Sequence, residues 1–187
     1  MKKTRFLSML AVTALLFTSC SDDDNPDPVN DKEVITNLSI VFEAEGVEDV
    51  TLESEDLDGT DGPDTPEITI TGVFQANTTY TGTITVLNQT VTPTENVTLE
   101  IREEDDEHQF FFTTTGSLGE TTYLDFDDDD NPLGLSFTLA TGDAGVGTIL
   151  VTLRHDLNKD AAGVSEGDIT NAGGETDVAQ TFSVSVQ

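Results

Sequence analysis

The sequence predicts an all-β fold, a two-sheet sandwich of about 8–10 short strands. Three observations carry this. Apolar and polar residues alternate in short runs, as in Leu38, Ile40 and Phe42 or Ile149, Val151 and Leu153, which gives each run one buried and one wet face. Thr far outnumbers Lys, Trp is absent, and Gly, Asn, Asp and Pro fall between the runs, a composition of strands and turns. No βαβ alternation and no internal repeat is present.

The elements follow in order. Residues 21–33 are rich in Asp, Asn and Pro with almost nothing to bury, so they read as an acidic flexible tether. One domain is expected over residues 34–187. Leu38, Ile40 and Phe42 form a first strand, and Val50 and Leu52 a second after Gly46. Asp56 to Asp64 is turn chemistry throughout. Ile68 and Ile70, then Tyr80, Ile84 and Val86, mark two more strands. Thr92 to Glu107 supports two readings. Thr92-Pro93-Thr94-Glu95 fits a capping box, with Val97, Ile101 and Asp105 at helical spacing, so one short helix is expected near 93–106. Val97, Leu99 and Ile101 alternate equally well as a strand. His108 to Thr115 is a strand with Phe110 and Phe112 on one face and Phe111 on the other, so both faces should be covered. Strands at Thr122 to Phe126, Leu133 to Ala140, Gly147 to Arg154 and Asp177 to Val186 complete an immunoglobulin-like arrangement. Between the last two runs, residues 155–177 form a long glycine-punctuated loop, either a binding loop or a cover over one end of the sandwich.

Strand parity draws attention to the only two histidines. His108 heads the face of Phe110 and Phe112, and His155 ends the face of Ile149, Val151 and Leu153. If these strands pair antiparallel, both imidazoles reach one rim. With Glu107 and Asp156 beside them they form a candidate transition-metal site for zinc or copper. The alternative is a pair of rim residues hydrogen-bonded to neighbouring carboxylates. Calcium is the other divalent candidate, because it takes oxygen ligands. Asp56, Asp58 and Asp61 in one loop, and Asp127, Asp128, Asp129 and Asp130 in another, supply them, unless these are simply solvated acidic turns. Asp156 to Asp160 begins like an EF-hand loop, but Ala161 stands where the turn glycine belongs and Gly167 where the bidentate Glu belongs, so that motif is rejected.

The N-terminus carries an address. Lys2, Lys3 and Arg5 precede an apolar run from Phe6 to Phe17, the pattern of a signal peptide over residues 1–20 and too short to span a bilayer. The single cysteine, Cys20, follows Phe17-Thr18-Ser19, a segment that resembles a bacterial lipobox. Acylation there would anchor the protein, since two or more chains hold stably where one does not. It would also leave no thiol for a disulfide. Ser21-Asp22-Asp23-Asp24 resembles the acidic export signal of Bacteroidota lipoproteins. The resemblance implies attachment to the outer membrane and display at the cell surface. Beyond residue 20 the chain keeps four basic residues against 37 acidic ones. Such a balance repels nucleic acid and attracts cations.

Asp106-Glu107-His108-Gln109-Phe110-Phe111, the run from Leu153 to Val164 and Gly167 to Asp177 are similar to a family of small flavobacterial lipoproteins. Its members carry the label type 1 periplasmic binding fold superfamily protein. That label implies two doubly wound α/β lobes, whereas the residues here predict strands alone, and no ligand-binding residue is carried over from it. For function, no Gly-x-Ser-x-Gly elbow, no His-Glu-x-x-His and no phosphate-cradling loop occurs, so no enzyme is expected. The expectation is a non-enzymatic surface binding lipoprotein that captures a metal ion or small ligand for an outer-membrane transporter. A structural or adhesive module with calcium-stabilised acidic loops is the alternative.

Overall fold

The computed structural model describes residues 32–59, 62 and 64–187. The leader, Cys20, Ser21 to Asp24 and Asp61 lie outside the described residues. Lys32–Gln187 forms a compact unit with a core of its own. Among the described residues it contains nine strands and one short helix. No helix among them is long and apolar enough to cross a membrane.

The strands are β1 (Asn37–Glu43), β2 (Val50–Glu55), β3 (Glu67–Thr71), β4 (Thr79–Leu87), β5 (His108–Gly116), β6 (Leu118–Tyr123), β7 (Ser136–Thr141), β8 (Gly145–His155) and β9 (Glu175–Val186). They form a six-stranded sheet of order β3-β2-β1-β4-β7-β6 and a three-stranded sheet of order β5-β8-β9, with antiparallel pairing between neighbours. The expected all-β sandwich is present, and the α/β lobes implied by the family label are not. With the β2–β3 hairpin set aside, the orders β1-β4-β7-β6 and β5-β8-β9 are those of an immunoglobulin constant domain. The hairpin extends the first sheet beyond its first strand.

Alternation drives this arrangement. Tyr80, Ile84 and Val86 of β4, and Ile149, Val151 and Leu153 of β8, are almost completely buried. Edge-to-face contacts of Phe42 with Phe74 at 5.1 Å and with Phe137 at 5.7 Å fill the centre. Phe110 joins this core. On the opposite face, Phe111 enters a separate small cluster with Leu157, Val164 and Ala172. The 156–174 connection is therefore a cover with its own apolar anchor. Its return is held by Arg154, whose Nε donates to the Gly173 carbonyl at 2.9 Å.

The helix α1 (Val97–Glu103) lies within the expected range, but it starts at Asn96, not at Thr92. Glu95 is unavailable for a capping box because its backbone exchanges hydrogen bonds with Asn88. Two strand limits also move. The run expected from Thr122 ends as β6 at Tyr123, and Leu133 and Leu135 are buried ahead of β7.

Register places the connections unequally. Asn37 pairs with both Leu87 and Glu55, Tyr123 with Phe137, and His108 with His155. The entering segment 32–36 and the connections 56–66, 88–107, 124–135 and 156–174 consequently share one end of the sandwich. The opposite end has only the shorter connections 44–49, 72–78, 117 and 142–144.

Candidate functional site

The two histidines meet at the end that carries the long connections. His108 opens β5 and His155 closes β8 as direct register partners, and their rings stack with centroids 4.4 Å apart. Both are buried. Beyond His155 the chain turns at Asp156, and Gly174 brings β9 back against it. A Cβ at Gly174 would lie 2.2 Å from the His155 carbonyl oxygen, so this close approach requires glycine.

At the edge of the stacked pair, within reach of a nitrogen of each ring, lies Glu33, whose side chain is only 4% exposed. The tether was expected to run through this residue, yet Lys32 and Glu33 belong to the compact unit. Glu33 Oε1 is 2.9 Å from His108 Nε2, and His108 Nδ1 is 2.9 Å from the Glu104 carbonyl oxygen. A carbonyl and a carboxylate only accept, so this pairing holds both ring nitrogens protonated and makes His108 a cation. Burial alone would push His108 down, but the hydrogen bonds to Glu33 and Glu104 and the charges of Glu33 and Asp177 outweigh it and raise its pKa. Burial opposes ionisation of Glu33 as well, yet the hydrogen bond and charge of His108 lower it to about 2.

The remaining polar atoms are less well served. Glu33 Oε2 lies 3.2 Å from His155 Nδ1, out of line for a hydrogen bond, and His155 Nδ1 is buried without one. Both carboxylate oxygens of Asp177 are buried, and its side chain is hydrogen-bonded to that of Glu33. Burial and the negative charge of Glu33 push Asp177 up to about 7, against the opposing pull of His155 and His108. A cavity of about 190 Å³ opens beside this group, lined by Glu33, Asp177 and Asp58 among others.

Two sets of side chains have metal-binding geometry among the described residues. Glu33, Glu104, His108 and His155 each place one ligand atom within 4.8 Å of the others, and Glu107, His155 and Asp156 do the same. His155 Nε2 is 3.5 Å from Glu107 Oε2 and 4.0 Å from Asp156 Oδ1. Of the residues expected from sequence, His108 falls in the first set and Glu107 and Asp156 in the second, and His155 alone belongs to both. Sequence reasoning missed Glu33, Glu104 and Asp177, which sit in a presumed tether, just past the end of a helix and near a strand start. No spacing connects them, because three separate chain segments converge.

The acidic loops lie at the same end but are spent differently. Asp127 is buried, and its Oδ1 accepts from the backbone N–H groups of Asp129 and Asn131 at 3.0 and 2.8 Å. Its Oδ2 accepts from the buried Lys159 ammonium at 3.0 Å, and Lys159 also donates to the Pro132 and Asp105 carbonyls. Lys159 thereby fills the centre where a cation was expected. Asp128, Asp129 and Asp130 are exposed. Asp58 accepts from the Asp64 backbone at 3.1 Å, and burial together with Asp58 pushes neighbouring Asp56 upward.

Comparison with protein-family models, with curated proteins and with solved structures finds no match to this chain. The class is therefore defined by fold and site alone. This is an immunoglobulin-like sandwich with a buried histidine–carboxylate cluster at its loop-rich end.

Proposed function

We propose that this protein is a lipid-anchored, surface-displayed, non-enzymatic binding module that holds a divalent transition metal, zinc or copper, in the histidine–carboxylate cluster. In this reading it serves as a capture element for an outer-membrane transporter. One observation carries the metal assignment: His155 Nδ1 is buried without a hydrogen bond, 3.2 Å from Glu33 Oε2. Buried polar atoms without partners are uncommon and point to a group that would satisfy them. Glu33 and His155 would hold the ion, with His108 joining through Nε2 once its proton leaves and Glu104 completing the set. Glu107, near His155 Nε2, would orient that ring. The anchor rests on Cys20 and the leader that precedes it.

A second reading has its own support. Glu33, Asp177 and Asp58 line one cavity and supply oxygen ligands alone, which suits calcium and a structural role. Elemental analysis of residues 21–187 after equilibration with mixed divalent metals and desalting separates the two. About one zinc or copper per chain, lost in both His155→Ala and Glu33→Gln, is the expected result. Calcium retained by His155→Ala and lost in Glu33→Gln would favour the structural reading. No retained metal in the parent protein would overturn both.

A further inference from the structure

A second cleft, of about 310 Å³, lies between the 124–135 and 156–174 connections and shares no lining residue with the histidine cluster. Phe112, Tyr123, Phe126 and Pro132 line it together with Ser165 and Glu166. Its volume falls in the range of small-molecule sites, ~300–1,000 Å³. No basic side chain lines it. Phe126 is 51% exposed at this cleft, a large aromatic side chain that the core does not use.

The walls are set by buried contacts. Tyr123 Oη donates to the Phe110 carbonyl at 2.8 Å and accepts from Gln109 Nε2 at 3.3 Å. Burial pushes this hydroxyl up to about 12, so it remains a donor at neutral pH. Gln109, fully buried, also donates to the Val164 carbonyl at 3.0 Å and so ties the 156–174 connection to the same ring. Gly167 has φ +89°, and a Cβ there would stand 3.3 Å from Tyr123 Oη, which lets the backbone close on the tyrosine. On the other side, Lys159 holds the Pro132 carbonyl. Such preorganisation lowers the ordering cost of binding.

Aromatic rings present negative π faces, which attract cations, and Glu166 adds a full negative charge. The surrounding chain, with 37 acidic and seven basic residues, raises the local concentration of cations and repels anions. We propose that this cleft binds a small organic cation, an ammonium group on an apolar body, with Phe112, Tyr123 and Phe126 supplying ring contacts and Glu166 the counter-charge. This site is independent of the metal reading.

The test is calorimetric titration of residues 21–187, which contain the whole compact unit, with choline and with its neutral isostere 3,3-dimethyl-1-butanol. Methyl glucoside and benzoate serve as the uncharged-sugar and anionic controls. Choline should saturate below about 1 mM and bind about tenfold more tightly than the isostere. Phe126→Ala and Glu166→Gln, both at exposed positions, should each weaken choline about three- to tenfold with an unchanged circular dichroism spectrum. Glu33→Gln should leave it unaltered. Equal or tighter binding of the isostere, methyl glucoside or benzoate would overturn the proposal. So would the absence of choline saturation below about 10 mM, or full choline affinity in Phe126→Ala.

Discussion

In metal-free protein, Asp177 and Glu33 act on stability in opposite directions. Asp177 has its pKa raised from 3.8 to about 7, first by burial and then by Glu33, while His155, His108 and the nearby Asp58 are the other titratable groups around it. Its contribution is complete below about 4, where both folded and unfolded chains hold the proton, and is lost as pH rises to about 7. Glu33, lowered from 4.5 to about 2, contributes above 4.5 and loses that contribution as pH falls through 2. In chelator, Asp177→Asn should therefore gain stability over the parent as pH rises from 4 to 8, by about 1–3 kcal/mol in urea unfolding. A gain independent of pH would refute this account. Lys159 poses a different residue-level question. Lys159→Met leaves the Asp127 carboxylate buried without its counter-charge and should cost about 3–5 kcal/mol. The double variant Lys159→Met/Asp127→Leu should recover much of that loss, and a double-mutant cycle by chemical denaturation measures the coupling.

At the scale of elements, the 156–174 connection is held to the β5-β8-β9 sheet through Phe111. Phe111→Ala removes the centre of the small cluster with Leu157, Val164 and Ala172 and should cost about 3–5 kcal/mol. Its local signature is specific. Hydrogen exchange at the Asn158 and Val164 amides, which bond within the loop, should accelerate far more than exchange in β4 or β8 at matched global stability. Uniform acceleration would mean that the loop unfolds only with the sandwich. This element was half legible in the sequence. Opposite parity of Phe110 and Phe111 announced that both faces of β5 are covered, but the 155–177 run read as a binding loop or a cover over one end, and nothing in it showed that it covers the outer face of β5. The helix shows the same division. The spacing of Val97 and Ile101 allowed a helix while their alternation with Leu99 allowed a strand equally, and its start was set by the Asn88–Glu95 backbone pairing, a contact outside any local motif.

For the whole molecule, charge is the dominant global term. Beyond residue 20, thirty-seven acidic residues against four basic ones impose self-repulsion that salt relieves. Raising sodium chloride from 0.05 to 1 M should increase the melting temperature of residues 21–187 in chelator, by about 2–4 °C for each kcal/mol of relief. An unchanged or lower value would show that specific ion pairs, such as Lys159 with Asp127, outweigh the general repulsion. Topology adds a second global feature. With the entering segment and four long connections at one end, acidic loops far apart in sequence are brought near the two histidines. The same convergence gives the Lys159 ammonium partners from two other connections, 88–107 and 124–135.

By itself the sequence determined the all-β class, the strand periods, the place of His108 and His155 at strand ends, where antiparallel pairing would bring them together, and the acidic character of the loops. Each of these is local or follows from a period of two along one strand. Pairing β5 with β8 needs only that one long-range match. Tertiary structure decided the rest. It drew Glu33 out of a presumed tether to the edge of two stacked imidazoles, brought Asp177 beside it, and assigned Asp127 to a lysine ammonium. These outcomes depend on desolvation and on which chain segments converge at one end of the sandwich. Neither burial nor convergence is encoded in the spacing of charged residues along the chain.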